Sequence, residues 1–296
     1  MKRCAILTME SLEGFEAYDH LLDQPLLELG WQTEMVSWRD TEVDWDQFDV
    51  VLIRTPWDYQ DDAERFIQVL GDIENSSAVL ENSLTICAWN IDKKYLQELQ
   101  NHGVNIVPTA WFNQYQSDNI AACFEQFGCQ QLVIKPCVSA NADDTFWLTI
   151  DNWQDYQTTL ATTFAKRDFM VQPFVESVIE EGEYSCFYFD GQYSHSILKT
   201  PKANDFRVQE EHGGRLTLVE PQAELLEQAD HAMAVLASID EMPMYARVDF
   251  VRMGERFAMM EAELIEPSLY FNMEPKSAPL FAQLFVQRMA NKHRIN

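Results

Sequence analysis

The chain has 296 residues, 47% of them hydrophobic and 23% charged, so it carries ample material for a core and is neither a tail nor a linker. Its 48 Asp and Glu against 21 Lys and Arg leave a net charge of -27, which excludes a surface built to track nucleic-acid phosphates or to lie on anionic lipid. No stretch approaches the length of a membrane span, the apolar run at the amino terminus is too short for a signal peptide, and the six cysteines lack zinc spacing, so a reduced, cytoplasmic setting is expected.

Cys4 to Leu7 reads as a first strand, followed by a helical pattern through Tyr18, Leu22, Leu26 and Leu29 that Gly30 closes, and then by a second strand from Gln32 to Trp38. Asp49 to Thr55 is a continuous apolar run of the kind buried on both faces of a parallel sheet. The opening quarter is therefore a small α/β domain. Ligands of open α/β sheets lie beyond the carboxyl ends of the strands, where Arg54, Trp57, Asp58 and Tyr59 fall. Arg54 there either clamps a substrate carboxylate with its planar fork or forms a structural pair with an Asp.

Asp92 to Asn101 reads as a helix ending at Gly103. Leu132 to Val138 is a strand whose apolar run is interrupted by Lys135, a residue that is costly to bury unless it meets an anion. The small polar residues from Ser139 to Asp144 and the returning strand from Thr145 to Thr149 make a hairpin with the character of a flap. Phe169 to Val175 is another strand, with Pro173 limiting it as a ladder member. Asp190-Gly191 is a hairpin turn signal between the strands Tyr184 to Asp190 and Gln192 to Lys199. Polar connections at Ala203 to Arg207 and His212 to Gly214 lead to an amphipathic helix from Pro221 to Ile239.

The last hairpin holds three carboxylates. Asp249 shares a face with Arg247 on one strand, Glu261 shares a face with Glu263 on the next, and Met253-Gly254-Glu255 is the turn between them. If the faces coincide, ionised carboxylates roughly 4 Å apart repel by about 4 kcal/mol per pair at an effective dielectric of about 20, and a hard cation is expected to compensate. The alternative is a solvated acidic hairpin.

This order of elements, with Lys93 in Asn90-Ile-Asp-Lys, Lys135 in Val-Ile-Lys-Pro, the strand ending Gln-Pro-Phe-Val, Glu183 in Gly-Glu-Tyr, the basic loop and the carboxylate hairpin, resembles the ATP-grasp superfamily of carboxylate-amine ligases. The likeness is greatest to the branch of glutathione synthetase-like and cycloserine-forming synthetases and covers nearly the whole chain. It implies an α/β (α+β) ATP-grasp fold in three subdomains: an N-terminal α/β domain over 1–88, a central lid over 89–175 and a C-terminal subdomain with the metal hairpin over 176–296.

The resemblance also implies roles. Lys93 (or Lys94, one position on), Lys135 and Ser139 would contact the nucleotide. Gln172, Pro173, Phe174 and Val175 would form the adenine hinge, and Glu183 would accept the ribose hydroxyls. Lys199, Arg207 and Arg247 would hold the γ-phosphate and the acyl phosphate. Asp249, Glu261 and Glu263 would hold Mg2+, with Mn2+ as an alternative ion. Arg54, Asp58 and Tyr59 suggest a zwitterionic, amino-acid-like substrate, and Glu266, Tyr270 and Asn272 are further candidates for the same pocket. The family's flap is commonly glycine-rich and its third metal ligand commonly Asn, whereas here the flap has no glycine and the third ligand is Glu263.

The expected activity is ATP- and Mg2+-dependent conversion of a carboxylate to an acyl phosphate that an amine attacks. Its partners are then a small-molecule acid and amine, without nucleic acid or membrane, and the resemblance implies a homodimer. One rival is a non-catalytic nucleotide- or divalent-ion-binding protein of the same fold, which would need the carboxylates but not Lys135 or Lys199. Another is a hydrolase with two carboxylates as acid and base, which would work without ATP.

Overall fold

Four strands open the chain: β1 (Lys2–Thr8), β2 (Trp31–Ser37), β3 (Val50–Thr55) and β4 (Val79–Glu81), all parallel in the order β2-β1-β3-β4. Every residue of β3 is buried, as its unbroken Val-Val-Leu-Ile run requires of a strand covered on both faces. The computed structural model describes residues 1–140, 142–203 and 205–295. Asn141 of the expected flap and Asn204 of the polar loop lie outside the described residues.

Between these strands run α1 (Asp23–Glu28) and α2 (Ala63–Glu74). The helical pattern from Tyr18 to Leu29 is realised in two pieces, a turn of 3-10 helix at Asp19–Leu22 and then α1, with Pro25 in the first turn of α1 where its missing N–H is tolerated. Beyond α3 (Leu84–Asn90), the helix expected from Asp92 begins at Tyr95 as α4 (Tyr95–Asn101). The delay has a cause. The Lys93 N–H donates to the carbonyl of Cys137 at 2.8 Å and the Lys94 N–H to the Asp92 carboxylate at 2.9 Å, so residues 92–94 are drawn against the end of the Lys135 strand.

The second sheet is antiparallel, with β5 (Ala110–Phe112), β6 (Gln131–Pro136), β7 (Phe146–Thr149) and β8 (Phe169–Pro173) in the order β5-β8-β6-β7. Helices α5 (Ser117–Phe127) and α6 (Gln157–Thr163) supply Ile120, Phe124 and Leu160 to a core with Leu132, Ile134, Leu148 and Val171. Strand β6 alternates strictly: Leu132 and Ile134 are buried in that core, which turns Val133 and Lys135 to the other face. In the flap that follows, Ala142 (φ 59) and Asp144 (φ 50) adopt the left-handed conformation that glycine would take without strain.

After α7 (Ser177–Glu180) comes the largest sheet, β9 (Glu183–Phe189), β10 (Gln192–Thr200), β11 (Arg215–Val219), β12 (Tyr245–Met253) and β13 (Arg256–Glu263), in the order β11-β10-β9-β12-β13. Asp190 (φ 46) and Gly191 (φ 77) both turn left-handed between β9 and β10, as a tight hairpin requires. Helices α8 (Ala223–Ile239) and α9 (Ser277–Ile295) complete the chain, and among the described residues no helix is long and apolar enough to cross a membrane.

The first and third sheets are joined by buried polar ties. Asn82 donates to the carbonyls of Tyr245 at 3.0 Å and Leu264 at 2.7 Å and accepts from the Met244 N–H at 2.6 Å. The Tyr245 hydroxyl reaches the carbonyls of Ile53 at 2.5 Å and Ile265 at 2.9 Å.

Candidate active site

A cavity lies between the second and third sheets, and strand register decides what lines its floor. Lys199 of β10 stands opposite Glu183 of β9, Ser185 of β9 opposite Asp249 of β12, Asp249 opposite Glu261 of β13, and Arg247 opposite Glu263. The two faces of the last hairpin therefore coincide, and alternation puts all these charges on one side of the sheet. Facing them from the second sheet are Val133, Lys135 and the hinge from Gln172 to Val175, with Lys93, Ser139, Phe206 and Arg207 completing the walls.

The charges are paired with one another. Lys93 Nζ is 2.9 Å from Glu261 and donates to the Ser139 carbonyl at 2.7 Å. Lys199 Nζ lies 2.6 Å from Glu183 and 3.4 Å from Asp249. Arg247 binds Asp249 at 3.1 Å and also pairs with Glu263, while the Ser185 hydroxyl donates to Asp249 at 2.5 Å. Lys94 turns away to Asp168 and Asp92, which settles which of the two adjacent lysines faces the cavity.

These pairs set the protonation of the site. Against the effect of burial, Arg247 and Lys199 hold Asp249 below the usual carboxylate range, and Lys93 and Lys135 do the same for Glu261. Burial pushes Glu263 up to about 7 despite Arg247, with Glu261 and Asp249 adding to the rise. Burial and the neighbouring Glu263 push Glu266 up to about 8. Burial lowers the Lys135 ammonium below its ordinary value, and Lys93 adds to this against the pull of Glu261. Lys199 moves the other way: burial and Arg247 oppose its charge, but Asp249 and Glu183 outweigh them.

Above the hinge, Phe174 stacks on Trp147 with centroids 4.6 Å apart, and Phe206 meets the edge of Trp147 at 5.5 Å. Phe174 and Phe206, with Val133, Val175, Val178 and Met260, line an apolar slot beside the charged floor. Gln172 is 2% exposed and its side-chain amide is spent on Thr109 at 2.9 Å.

Two expectations are corrected. Arg54 does not reach the cavity: it is fully buried, its Nε 2.5 Å from Asp19 and its Nη2 2.6 Å from the carbonyl of Pro267, so the structural alternative holds. Asp58 is likewise occupied elsewhere, by Trp38 and Arg39, both at 2.6 Å. Of that trio only Tyr59 lines the cavity, together with Glu266 and Tyr270, while Asn272 is exposed outside it. In the carboxylate hairpin, the protein's own cations also relieve the mutual repulsion. Among the described residues no three acidic, His or Cys side chains converge closely enough to hold an ion. Asp249 and Glu261, directly opposed, do fit the habit of Mg2+, which takes one or two carboxylates and fills its shell with water and phosphate oxygens.

Residues 4–82 match the family model described as the N-terminal domain of the D-cycloserine synthetase DcsG. Over 300 residues the chain is 31% identical to the cycloserine biosynthesis protein DcsG of Streptomyces lavendulae, covering 90% of this chain and 93% of that protein. The chain belongs to the DcsG family of ATP-grasp ligases. It is an ATP-dependent ligase. The crystal structure of D-cycloserine synthetase DcsG superposes with a TM-score of 0.88 at 25% identity, covering 97% of this chain and 99% of that one. The D-alanine–D-alanine ligase of Bacillus anthracis complexed with ATP shares the fold, with a TM-score of 0.68 at 15% identity over 99% of both chains.

Within this DcsG relative, several lining residues escape a reading of the sequence. Asn90 holds the Ala262 carbonyl at 2.8 Å and accepts from the Leu264 N–H at 3.0 Å, fixing the end of β13 from a helix more than 170 residues earlier. Met260 and Val178 fill the slot. Nothing local in the sequence marks them, because each is defined by a contact across the fold.

Proposed function

We propose that this ligase activates a carboxylate as an acyl phosphate with ATP and joins it to a nitrogen nucleophile, on an amino-acid-like substrate. The observation that carries the reading is the single cavity in which an apolar slot, five cations and a carboxylate hairpin meet. The adenine takes the slot between the hinge and Met260, and Lys93 and Lys135 take the phosphates. Lys199, Arg207 and Arg247 hold the oxygens of the transferring phosphoryl group and of the reacting carboxyl, where negative charge accumulates.

Bound to Asp249 and Glu261, Mg2+ would neutralise phosphate oxygens and hold them in line. The chain's own part is to position. Lys93 and Arg247 are already fixed by Glu261, Ser139, Asp249 and Glu263, so they are oriented before any ligand arrives. No side chain serves as a covalent nucleophile.

The test is a coupled ADP-release screen over amino acids and small acids, with Glu261→Gln as the blank, alongside direct binding of the non-hydrolysable analogue AMPPNP. ADP release that requires a substrate and disappears in the blank is expected. A wild-type protein that does not bind AMPPNP would end the reading.

A further inference from the structure

The charges of the cavity balance pair by pair except in three places. Lys93, Lys199, Arg207 and Arg247 each have a carboxylate partner, and Glu183, Glu261 and Glu263 each have a cation. Among the described lining residues Lys135, Glu211 and Glu266 have no ion-pair partner within 4.0 Å. Glu211 is exposed to water and needs none. Lys135 is answered by phosphate in the reading above. That leaves Glu266, 9% exposed, a buried carboxyl with a Tyr59 contact and the charge of Glu263 nearby.

The course of the loop around Glu266 is fixed through its backbone. The carbonyls of residues 265 to 268 are each held by a different side chain: Ile265 by Tyr245 at 2.9 Å, Glu266 by Trp57 Nε1 at 2.9 Å, Pro267 by Arg54 at 2.6 Å and Ser268 by Arg247 at 3.5 Å. The loop would keep its course without the Glu266 side chain. A carboxyl that accepts a hydrogen bond from Tyr59, with no cation beside it and another carboxylate nearby, is costly to bury unless a ligand of opposite sign completes it.

We infer that Glu266 receives the nitrogen substrate, its carboxylate accepting N–H hydrogen bonds from a primary ammonium or a similarly N–H-rich cationic group, with Tyr59 and Trp57 forming the wall around it. This rests on the ligase reading and adds to it the residue that selects and orients the nucleophile. Lys135 and Glu266 then divide the cavity, the cation without an ion-pair partner for the phosphates of the nucleotide and the carboxyl without one for the nitrogen.

The experiment compares methylammonium with tetramethylammonium chloride, at equal concentration, on the melting temperature of the nucleotide-free full chain and of Glu266→Gln. Methylammonium is expected to raise the wild-type Tm by about 2 °C more than tetramethylammonium, which has no N–H, and the difference is expected to vanish in Glu266→Gln. Without any amine the variant is expected to melt at or above the wild-type temperature, because the Gln carbonyl oxygen still accepts from Tyr59 and a buried carboxyl without a cation is removed. Equal responses to the two amines, a difference that survives in Glu266→Gln, or a variant less stable than wild type would each overturn the inference. Binding of AMPPNP to the same wild-type preparation is scored separately, so its failure counts against the ligase reading and not against the ammonium site.

Discussion

Lys135 shows how far single residues can be read from sequence. A lysine inside an apolar run signals a buried cation, and the alternation of β6 turns it into the cavity. Its want of a partner was not legible, because the neighbouring lysines find theirs, Glu261 and Glu183, far along the chain or across a strand pair. Replacing Lys135 by Met keeps length and removes charge. The variant is expected to melt higher than wild type, by about 1 kcal/mol of stability, and to lose about 10²- to 10³-fold in ATP turnover, measured by calorimetry and ADP release. Glu263 and Glu266 make a second prediction. Their folded values, about 7 and about 8, lie above the ordinary 4.5, so the folded state binds more protons between those limits. Their contribution to stability is complete below 4.5 and is lost as pH rises through 7 and 8. Asp249 and Glu261 are shifted down, and their contribution is instead lost as acid approaches. Tm is therefore expected to fall from about pH 5 to about pH 8 and to level off above that in a fluorimetric pH series, and Glu266→Gln is expected to flatten the upper part of that fall.

Elements were most legible where a turn residue and a two-residue period agree. Asp190-Gly191 marked one hairpin and Met253-Gly254 the other, and once both strands of a hairpin are placed the period fixes which charges share a face. Arg215–Val219 carries no such signature: its residues are exposed or half-exposed on an edge strand, and only pairing with β10 defines it. The helix start at Tyr95 was misplaced for a related reason, since a tertiary bond to Cys137 overrides local helix preference. Between β10 and β11, the loop that supplies Phe206, Arg207 and Gln209 to the cavity is backed by Gly214. A Cβ there would stand 2.0 Å from the carbonyl oxygen of Val208 and 2.9 Å from that of Gln209. Gly214→Ala must therefore push this backbone aside. A loss of about tenfold or more in AMPPNP affinity is expected by calorimetric titration, with a small change in Tm because the strain falls on one edge loop.

At the scale of the whole molecule, the residue that a local reading would give to the substrate turns out to join two sheets. Arg54 stands at the carboxyl end of β3, where ligands of open sheets bind, but the third sheet brings the loop after β13 over that end and Arg54 is consumed in holding it. The sequence could not display this, because Pro267 lies 213 residues away and Asp19 is one acid among 48 Asp and Glu. The two roles predict different outcomes for Arg54→Ala. A substrate clamp would raise KM and leave the fold intact. A buried tie leaves the Asp19 carboxyl without its partner, which costs about 3–5 kcal/mol and lowers Tm by about 5–8 °C in a chain of this size. It also frees the Pro267 carbonyl, and with it the loop that carries Glu266, Ser268 and Tyr270 into the cavity. Activity assayed well below the melting temperature is therefore expected to fall mainly in kcat. The double variant Arg54→Met with Asp19→Leu separates the two parts, since it removes the orphaned carboxyl but not the slack in the loop. Its Tm is expected to recover most of the loss while its turnover stays low, and a recovery of turnover along with Tm would mean that the tie to Pro267 positions nothing.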